Sequence, residues 1–524
     1  MRNIDFHAAL AALAALLFIP PGAGRVAAAE AQPSKLNVIF ILADDYGWRD
    51  LGCYGSTFYE TPNLNRLAAQ GMRFTQAYAA CCVCSPTRAS IMTGRYPARL
   101  HITDWLPGRA DSPQQKLNHP VIVQNLPHEE ATLAQALQEG GYRTGLVGKW
   151  HLGGPGFYPQ DHGFDLNFGG SERGATPSFF SPYNIATLPG FRSYDMPNLA
   201  NGPAGEYLTD RLTDEALKFI EQSRDKPFFL YLAHYAVHTP HQAKAKVVDK
   251  YTAKAAALPP GGAEFLPEGD REARQIQNQP VYAAMIESLD ESVGRILDKL
   301  AELGLEKNTV IFFTSDNGGL STSEGSPTSN LPLRGGKGWN YEGGIREPLL
   351  VKWPGVTAPG TVCDAPVMST DYYPSILEIA ALPPRAAQHL DGVSITPLLK
   401  GGTRAERPLF WHYPHYSNQG GRPGGAVRLG DYKLLEFYED MRVELYNLRE
   451  DIGEKNDLTQ GMPEKVAELR DKLHAWRQDV AAQMPTPNPN YVPTPPTGKP
   501  ARKSARATQR ALELELVLAD KSND

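Results

Sequence analysis

Four apolar runs, each leading directly into charged or imidazole side chains, limit what this chain can fold into. LNVIFILA at 36–43 is rich in β-branched residues and runs into Asp44 and Asp45. YRTGLVG at 142–148 leads to Lys149 and His151, PFFLYLAHYAVH at 227–238 ends on His238, and TVIFFTS at 309–315 leads to Asp316 and Asn317. A continuous apolar run like 36–43, without alternation, is a strand buried on both faces, and the other three read as further strands. EPLLVKWPG at 347–355 reads as a further short strand. Helical patterns lie between the runs, at 63–70, at 132–139 before Gly140 and Gly141, and at 281–303, where Met285, Leu289, Val293, Ile296 and Leu300 share one face. Strands alternating with helices predict an α/β fold with a large central, mostly parallel sheet flanked by helices. In such sheets ligands sit beyond the carboxyl ends of the strands. The polar clusters, hundreds of residues apart, are therefore expected to converge on one site.

The pattern changes near residue 400. ERPLFWHYP, AVRLGDYKLLEFY and RVELYNL are short alternating segments, and PEKVAELRDKLHAWRQDVAAQM reads as one closing helix. We expect a large catalytic domain at 30–403, a smaller C-terminal antiparallel α+β domain at 404–483, and a proline-rich linker and tail at 484–524. At the other end, Arg2 precedes a short apolar stretch, and Ala27 and Ala29 form an A-x-A arrangement. Residues 1–29 read as a secretory signal peptide, which places the mature chain in the periplasm or outside the cell with no membrane span. A net charge of -6 without a basic stripe argues against a nucleic-acid partner. Five cysteines, Cys53, Cys81, Cys82, Cys84 and Cys363, are an odd number for an oxidising compartment, so at least one is unpaired or chemically special. The spacing of Cys81, Cys82 and Cys84 does not suit a zinc site. Cys81 and Cys82 read as structural, either buried thiols or one disulfide with Cys53.

Cys84-Ser85-Pro86-Thr87-Arg88, continued by Thr93-Gly94-Arg95, resembles the signature C-x-P-S-R-x-x-x-L-T-G-R of the type I, formylglycine-dependent sulfatases of the alkaline phosphatase superfamily. The C-x-P-x-R core is intact; Thr87 stands for Ser and Met92 for Leu. The resemblance extends over 36–458. It implies that Cys84 is oxidised to formylglycine by a formylglycine-generating or maturase enzyme acting on the unfolded chain. It also implies that Asp44, Asp45, Asp316 and Asn317, with the modified Cys84, hold a divalent metal, and that Lys149, His238 and Lys337 grip the sulfate. His151 is then the base that releases sulfate from the enzyme, His238 or Lys337 protonates the leaving oxygen, and Arg88 fixes the ionised diol. The substrate is a sulfated carbohydrate or an aryl sulfate.

The residue chemistry agrees independently. Three carboxylates and one amide are hard oxygen ligands, suited to Ca²⁺, the usual ion of the family, or Mg²⁺. Glu342 and Arg346 read as braces for the Lys337 loop, while His234 and His241 are ambiguous. WHYPHYSNQGGRPGG at 411–425 combines aromatics with His412 and His415 in a glycine-rich stretch, and is expected to be a mobile loop that selects the sugar. N-acetylgalactosamine or galactose sulfates are plausible substrates. The rival readings are a phosphatase or phosphonate ester hydrolase of the same superfamily, and a sulfoglycan-binding protein with an unused site.

Overall fold

The computed structural model describes residues 35–259 and 261–493, so the signal peptide expected at 1–29 and most of the tail expected at 484–524 lie outside the described residues. Within them the apolar runs pair as strands. β1 (Asn37–Ala43), β2 (Met72–Tyr78), β3 (Arg143–Gly148), β4 (Leu166–Phe168), β5 (Phe228–Ala233), β6 (Thr309–Ser315), β7 (Arg346–Lys352) and β8 (Thr361–Cys363) stand in the order β8-β2-β7-β6-β1-β5-β3-β4, and β9 (Val367–Met368) also pairs with β2. Every pairing is parallel except those of β7, which runs antiparallel to both β2 and β6.

β1 explains the layers. Its alternate side chains enter opposite cores, which is why the run shows no polar face. Ile39 and Ile41 pack with α1 (Pro62–Gln70), α4 (Leu208–Gln222), α5 (Ala245–Ala256) and α6 (Pro280–Glu302). Val38, Phe40 and Leu42 pack with α2 (Cys84–Thr93), α3 (Leu133–Glu139) and α7 (Tyr372–Ile379). The face of α6 bearing Met285, Leu289, Val293, Ile296 and Leu300 is buried in the first of these cores, as its spacing predicts.

Four further strands, β10 (Leu409–Tyr413), β11 (Gly424–Leu429), β12 (Tyr432–Phe437) and β13 (Val443–Asn447), form the smaller antiparallel sheet, closed by α8 (Pro463–Asp479). Its core is shared with the large sheet: Trp411 packs edge-on to Tyr78 and its indole donates to the Ala79 carbonyl at 2.8 Å. Buried charges also lock the two sheets together. Lys433 lies 3.0 Å from Glu342 and 2.9 Å from Glu454, and Glu342 also takes Arg346 at 3.2 Å and the Tyr78 hydroxyl at 2.8 Å. Such a cluster is stable only when complete, because any member left alone would be a buried unpaired charge. Glu342 and Arg346 therefore brace more than the Lys337 loop: they fix the smaller sheet to the larger one. The first residues past 483 are not a free linker. Thr486–Pro487 pairs with Leu117–Asn118.

Candidate active site

Register brings the strand ends level. Ala43 of β1 pairs with Ser315 of β6, Leu42 with Ala233 of β5, and Ala233 in turn with Gly148 of β3. Residues 44–45, 316–317, 149–151 and 234–238 therefore leave the sheet side by side. Gly148 has φ of 105°, and a Cβ there would lie 1.9 Å from the Ala233 carbonyl oxygen, so only glycine lets Lys149 turn into the site. Asp45 and His151 hold left-handed backbones, at φ of 61° and 58°. Such conformations are costly for these residues and cluster where a side chain must be aimed.

Cys84 opens α2, and the rest of its signature holds that helix in place. Thr87 Oγ1 donates to the Cys81 carbonyl at 3.1 Å and accepts from the Cys81 amide at 3.2 Å, tying down the turn before the helix. The hydroxyl needed for this is present in Thr as in Ser. Gly94 ends the helix at φ of 69°, and Arg95 donates to the Gln388 carbonyl at 2.8 Å and to Glu130 at 3.0 Å. All five cysteines are free; Cys81 and Cys82 are buried thiols, and no disulfide joins them to Cys53.

Around Cys84 the predicted residues meet. Cys84 Sγ is 3.3 Å from His151 Nδ1. His151 Nε2 is 2.7 Å from the Leu106 carbonyl, which only accepts, so Nε2 carries the proton and Nδ1 presents its lone pair to residue 84. Burial and then Lys149 push the His151 pKa well below its ordinary value, which keeps the ring neutral. Arg88 donates from Nε to Asp316 at 2.9 Å and from NH1 to the Lys149 carbonyl at 3.0 Å. Lys149 Nζ lies 2.6 Å from Asp44 Oδ2, and Lys337 Nζ 2.8 Å from Asp45 Oδ2. Asn317 Nδ2 donates to Asp45 Oδ1 at 2.7 Å. His238 Nδ1 donates to the Thr239 carbonyl at 2.8 Å, leaving Nε2 3.7 Å from Asp45 Oδ2.

These charges are buried, and their balance is set by pairing. Burial and the neighbouring Asp316 push the Asp44 carboxyl up, against Lys149 and Arg88. Burial also opposes the charge of Asp45, but the Lys337 ammonium, with hydrogen bonds from Lys337 and Asn317, outweighs it and holds the group low. Burial works against the Lys337 ammonium, while Asp45 and then Glu324 outweigh it and raise its pKa. The donor set fits a hard divalent cation. Asp44 Oδ1 and Asn317 Oδ1 are buried with no hydrogen-bond partner, and Asp44, Asp45 and His238 offer ligand atoms within 4.8 Å of one another. A cation there would also relieve the Asp44–Asp316 repulsion.

The stretch from 411 to 425 is not the mobile loop that its composition predicts. His412 lies on β10 and is buried, with Nδ1 2.7 Å from the Tyr438 hydroxyl and Nε2 2.9 Å from the Gln483 carbonyl. His415 is also buried, with Nε2 2.8 Å from Thr103 Oγ1 and Nδ1 3.0 Å from His119 Nδ1. Both rings are committed inside the protein, so they brace and do not face a ligand. His234 is buried against Ser292 of α6 at 3.0 Å, and His241 is buried edge-on to Tyr282; neither touches Cys84. Sequence reasoning missed the Leu106 carbonyl, which sets the His151 tautomer, and the partly buried Arg109 and Glu324; it singled out the 411–425 stretch but pointed to its histidines rather than to Asn418 and Gln419. A backbone carbonyl leaves no sequence signal, and Arg109 and Glu324 sit in loops without a motif.

Comparison with known proteins assigns the family. Residues 36–382 match the family model described as Sulfatase, and 336–482 match the model described as N-sulphoglucosamine sulphohydrolase, C-terminal. The chain is 36% identical over 436 residues to N-acetylgalactosamine-6-sulfatase of Canis lupus familiaris, covering 80% of this chain and 74% of that one. It is 31% identical to Arylsulfatase A of Homo sapiens, covering 83% and 86%. A crystal structure of Ps i-CgsB in complex with k-i-k-neocarrahexaose superposes with a TM-score of 0.70 at 28% identity, covering 92% of this chain and 98% of that one. Among the described residues no helix is long and apolar enough to cross a membrane. With its mostly parallel sheet, its smaller antiparallel domain and this match over two-thirds of its length, the chain belongs to the sulfatase family and is a sulfuric ester hydrolase.

Proposed function

We propose that this chain is an exported enzyme that removes a sulfate ester from a sugar of a sulfated polysaccharide, using a formylglycine made from Cys84 and a Ca²⁺ or Mg²⁺ ion held by Asp44, Asp45, Asp316 and Asn317 with the modified residue 84. One observation carries the reading: Cys84 Sγ stands 3.3 Å from a His151 nitrogen whose lone pair faces it, beside the buried pairs Lys149–Asp44 and Lys337–Asp45. The relatives support a sugar substrate, since one is named for N-acetylgalactosamine 6-sulfate hydrolysis and another holds neocarrahexaose.

When present, a formylglycine supplies a geminal diol at position 84, and the cation supplies charge neutralisation at a sulfate oxygen. The chain's own groups do the rest. His151 takes a proton at Nδ1 from the oxygen on residue 84, with Leu106 fixing the tautomer. Arg88, held by Asp316, places positive charge beside residue 84. Lys149 and Lys337 grip the remaining sulfate oxygens and stabilise the charge that builds up on transfer. The leaving oxygen draws its proton from the Lys337 and His238 side. Lys337 carries one in the resting site, whereas neutral His238, protonated on Nδ1, must first gain one at Nε2. The test is the mass of the peptide spanning Cys84 from protein made in a host that forms formylglycine, alongside elemental analysis of the same sample. We expect the formylglycine mass and one bound Ca²⁺ or Mg²⁺. Full sulfatase activity in a sample whose Cys84 is wholly unmodified would overturn the proposal.

A further inference from the structure

The grip on sulfate is at the strand ends, but a second polar group lies beside it, outside the catalytic set. Glu324 has its backbone in the left-handed region at φ of 53°. Its Oε1 accepts from Asn418 Nδ2 at 2.8 Å and from Gln419 Nε2 at 2.7 Å. Asn418 in turn accepts from Arg109 NH2, and the Arg109 guanidinium lies over the Trp105 ring, 5.4 Å from its centroid. These residues come from three loops that each touch the catalytic floor. The 101–109 loop supplies the Leu106 carbonyl to His151. Glu324 lies in the loop leading to Lys337 and accepts hydrogen bonds from the 417–419 turn, which packs on the residue after that lysine. The 417–419 turn packs against the residue after Lys337: a Cβ on Gly338 would lie 2.1 Å from Ser417 Oγ and 2.8 Å from Gln419 Oε1.

This group is built for a ligand rather than for packing. Glu324, Arg109 and Asn418 are only partly buried, Glu324 Oε2 has no hydrogen bond among the described residues, and Arg109 Nε is shielded from water without a partner. A carboxylate is an acceptor only, and it is an unusual neighbour for an enzyme whose substrate is an anion. It suits hydroxyl donors on a ring and repels a second anionic substituent. Building on the reading of this chain as a glycan sulfatase, we propose that Glu324, Arg109 and the Asn418–Gln419 turn bind the sugar that bears the sulfate, and that Glu324 selects rings with free hydroxyls and without a second sulfate or carboxylate on that side.

The test uses the full-length, formylglycine-bearing enzyme. A panel of monosulfated hexoses and N-acetylhexosamines, including N-acetylgalactosamine 6-sulfate, identifies the preferred sugar, and 4-nitrocatechol sulfate serves as a small aryl sulfate. In Glu324→Ala, kcat/KM for the preferred sugar should fall about tenfold relative to the aryl sulfate, mostly through KM, as expected for a contact made in ground and transition states alike. In Glu324→Gln, which keeps an acceptor but loses the charge, the loss should be smaller, and a disulfated form of the same sugar should gain several-fold relative to the monosulfated one. Equal losses on both substrates in Glu324→Ala would mean that Glu324 acts through Lys337 or the fold, and would overturn the proposal. No change on either would do the same. A wild-type enzyme that cleaves the aryl sulfate and no sugar on the panel would instead sink the glycan reading, and this inference with it.

Discussion

The floor of the site hangs from strand ends, whereas its rim is made of loops tied chiefly to one another. On the floor, the positions of Asp44, Lys149, His238 and Asp316 follow from the register of β1, β3, β5 and β6, and each charge meets an opposite one inside the protein. At the rim, Arg109, Glu324 and Asn418 are placed by side-chain hydrogen bonds between segments more than ninety residues apart. A floor of that kind cannot change one member without stranding a buried charge, so it suits the invariant part of the reaction, gripping sulfate and moving protons. A rim of exchangeable hydrogen bonds can be altered at modest cost, so it suits the part that differs between substrates.

The largest expected effect tests the floor. Cys84→Ala should lower turnover of both aryl sulfate and sulfated sugar by at least about three orders of magnitude, because removing one member of a concerted catalytic unit disables the whole. The two substrates should suffer alike. A loss confined to the sugar would erase the distinction between floor and rim.

Next is the base. His151→Ala should reduce kcat on both substrates by about 10²–10⁴-fold, the usual worth of a positioned proton acceptor. Burial and Lys149 hold its pKa well below the ordinary histidine value, so in the wild type the neutral, accepting form persists as pH falls. The acid limb of kcat against pH should therefore lie below about 6.5. A limb above that value would assign it to another group.

The floor was legible in the sequence, whereas of the rim only the 411–425 stretch stood out, and for the wrong side chains. Buried parallel strands announce themselves as continuous apolar runs, and a ligand site at their carboxyl ends follows from the fold class. Asp44, Lys149, His238 and Asp316 each directly follow or closely succeed such a run, so their convergence was deducible. Lys337 has no strand before it, and only its family pattern pointed to it. Glu324 sits in STSEGSPTSN, a stretch whose composition says loop and no more. At 411–425 the composition misled: aromatics and histidines that look sugar-facing are consumed in packing β10 against Tyr78, Tyr438 and Thr103, while the adjacent amides of Asn418 and Gln419 reach the rim. Residue type alone does not say which way a side chain turns when a strand gives way to a turn within three residues.

A smaller effect sharpens the rim. Asn418 links Arg109 to Glu324, so Asn418→Ala removes the link while leaving both charges in place. One lost hydrogen bond to a charged group is worth about 1.5–3 kcal/mol when fully buried, and less at a partly exposed site. The sugar-to-aryl ratio of kcat/KM should fall about fivefold, less than for Glu324→Ala. A larger drop than with Glu324→Ala would make Asn418 the primary sugar contact.

The smallest expected effect on selectivity is at His412, where composition and structure part most clearly. Its Nε2 must donate to the Gln483 carbonyl, so Nδ1 accepts from the Tyr438 hydroxyl, and the ring has no nitrogen left for a sugar. His412→Ala should leave the sugar-to-aryl ratio within about twofold. It should instead destabilise the fold by about 1–3 kcal/mol, since it removes both hydrogen bonds of a buried ring, to the Tyr438 hydroxyl and to the Gln483 carbonyl. Burial lowers the His412 pKa to about 4, with the Gln483 carbonyl opposing. The unfolded chain therefore binds the proton first, and the stability that neutral His412 contributes at neutral pH is lost as pH falls from about 6.5 toward 4. In the variant, stability from urea unfolding should decline less steeply across that window, by up to about 1.4 kcal/mol per pH unit. An unchanged slope with a tenfold shift in the substrate ratio would move His412 from the packing to the rim.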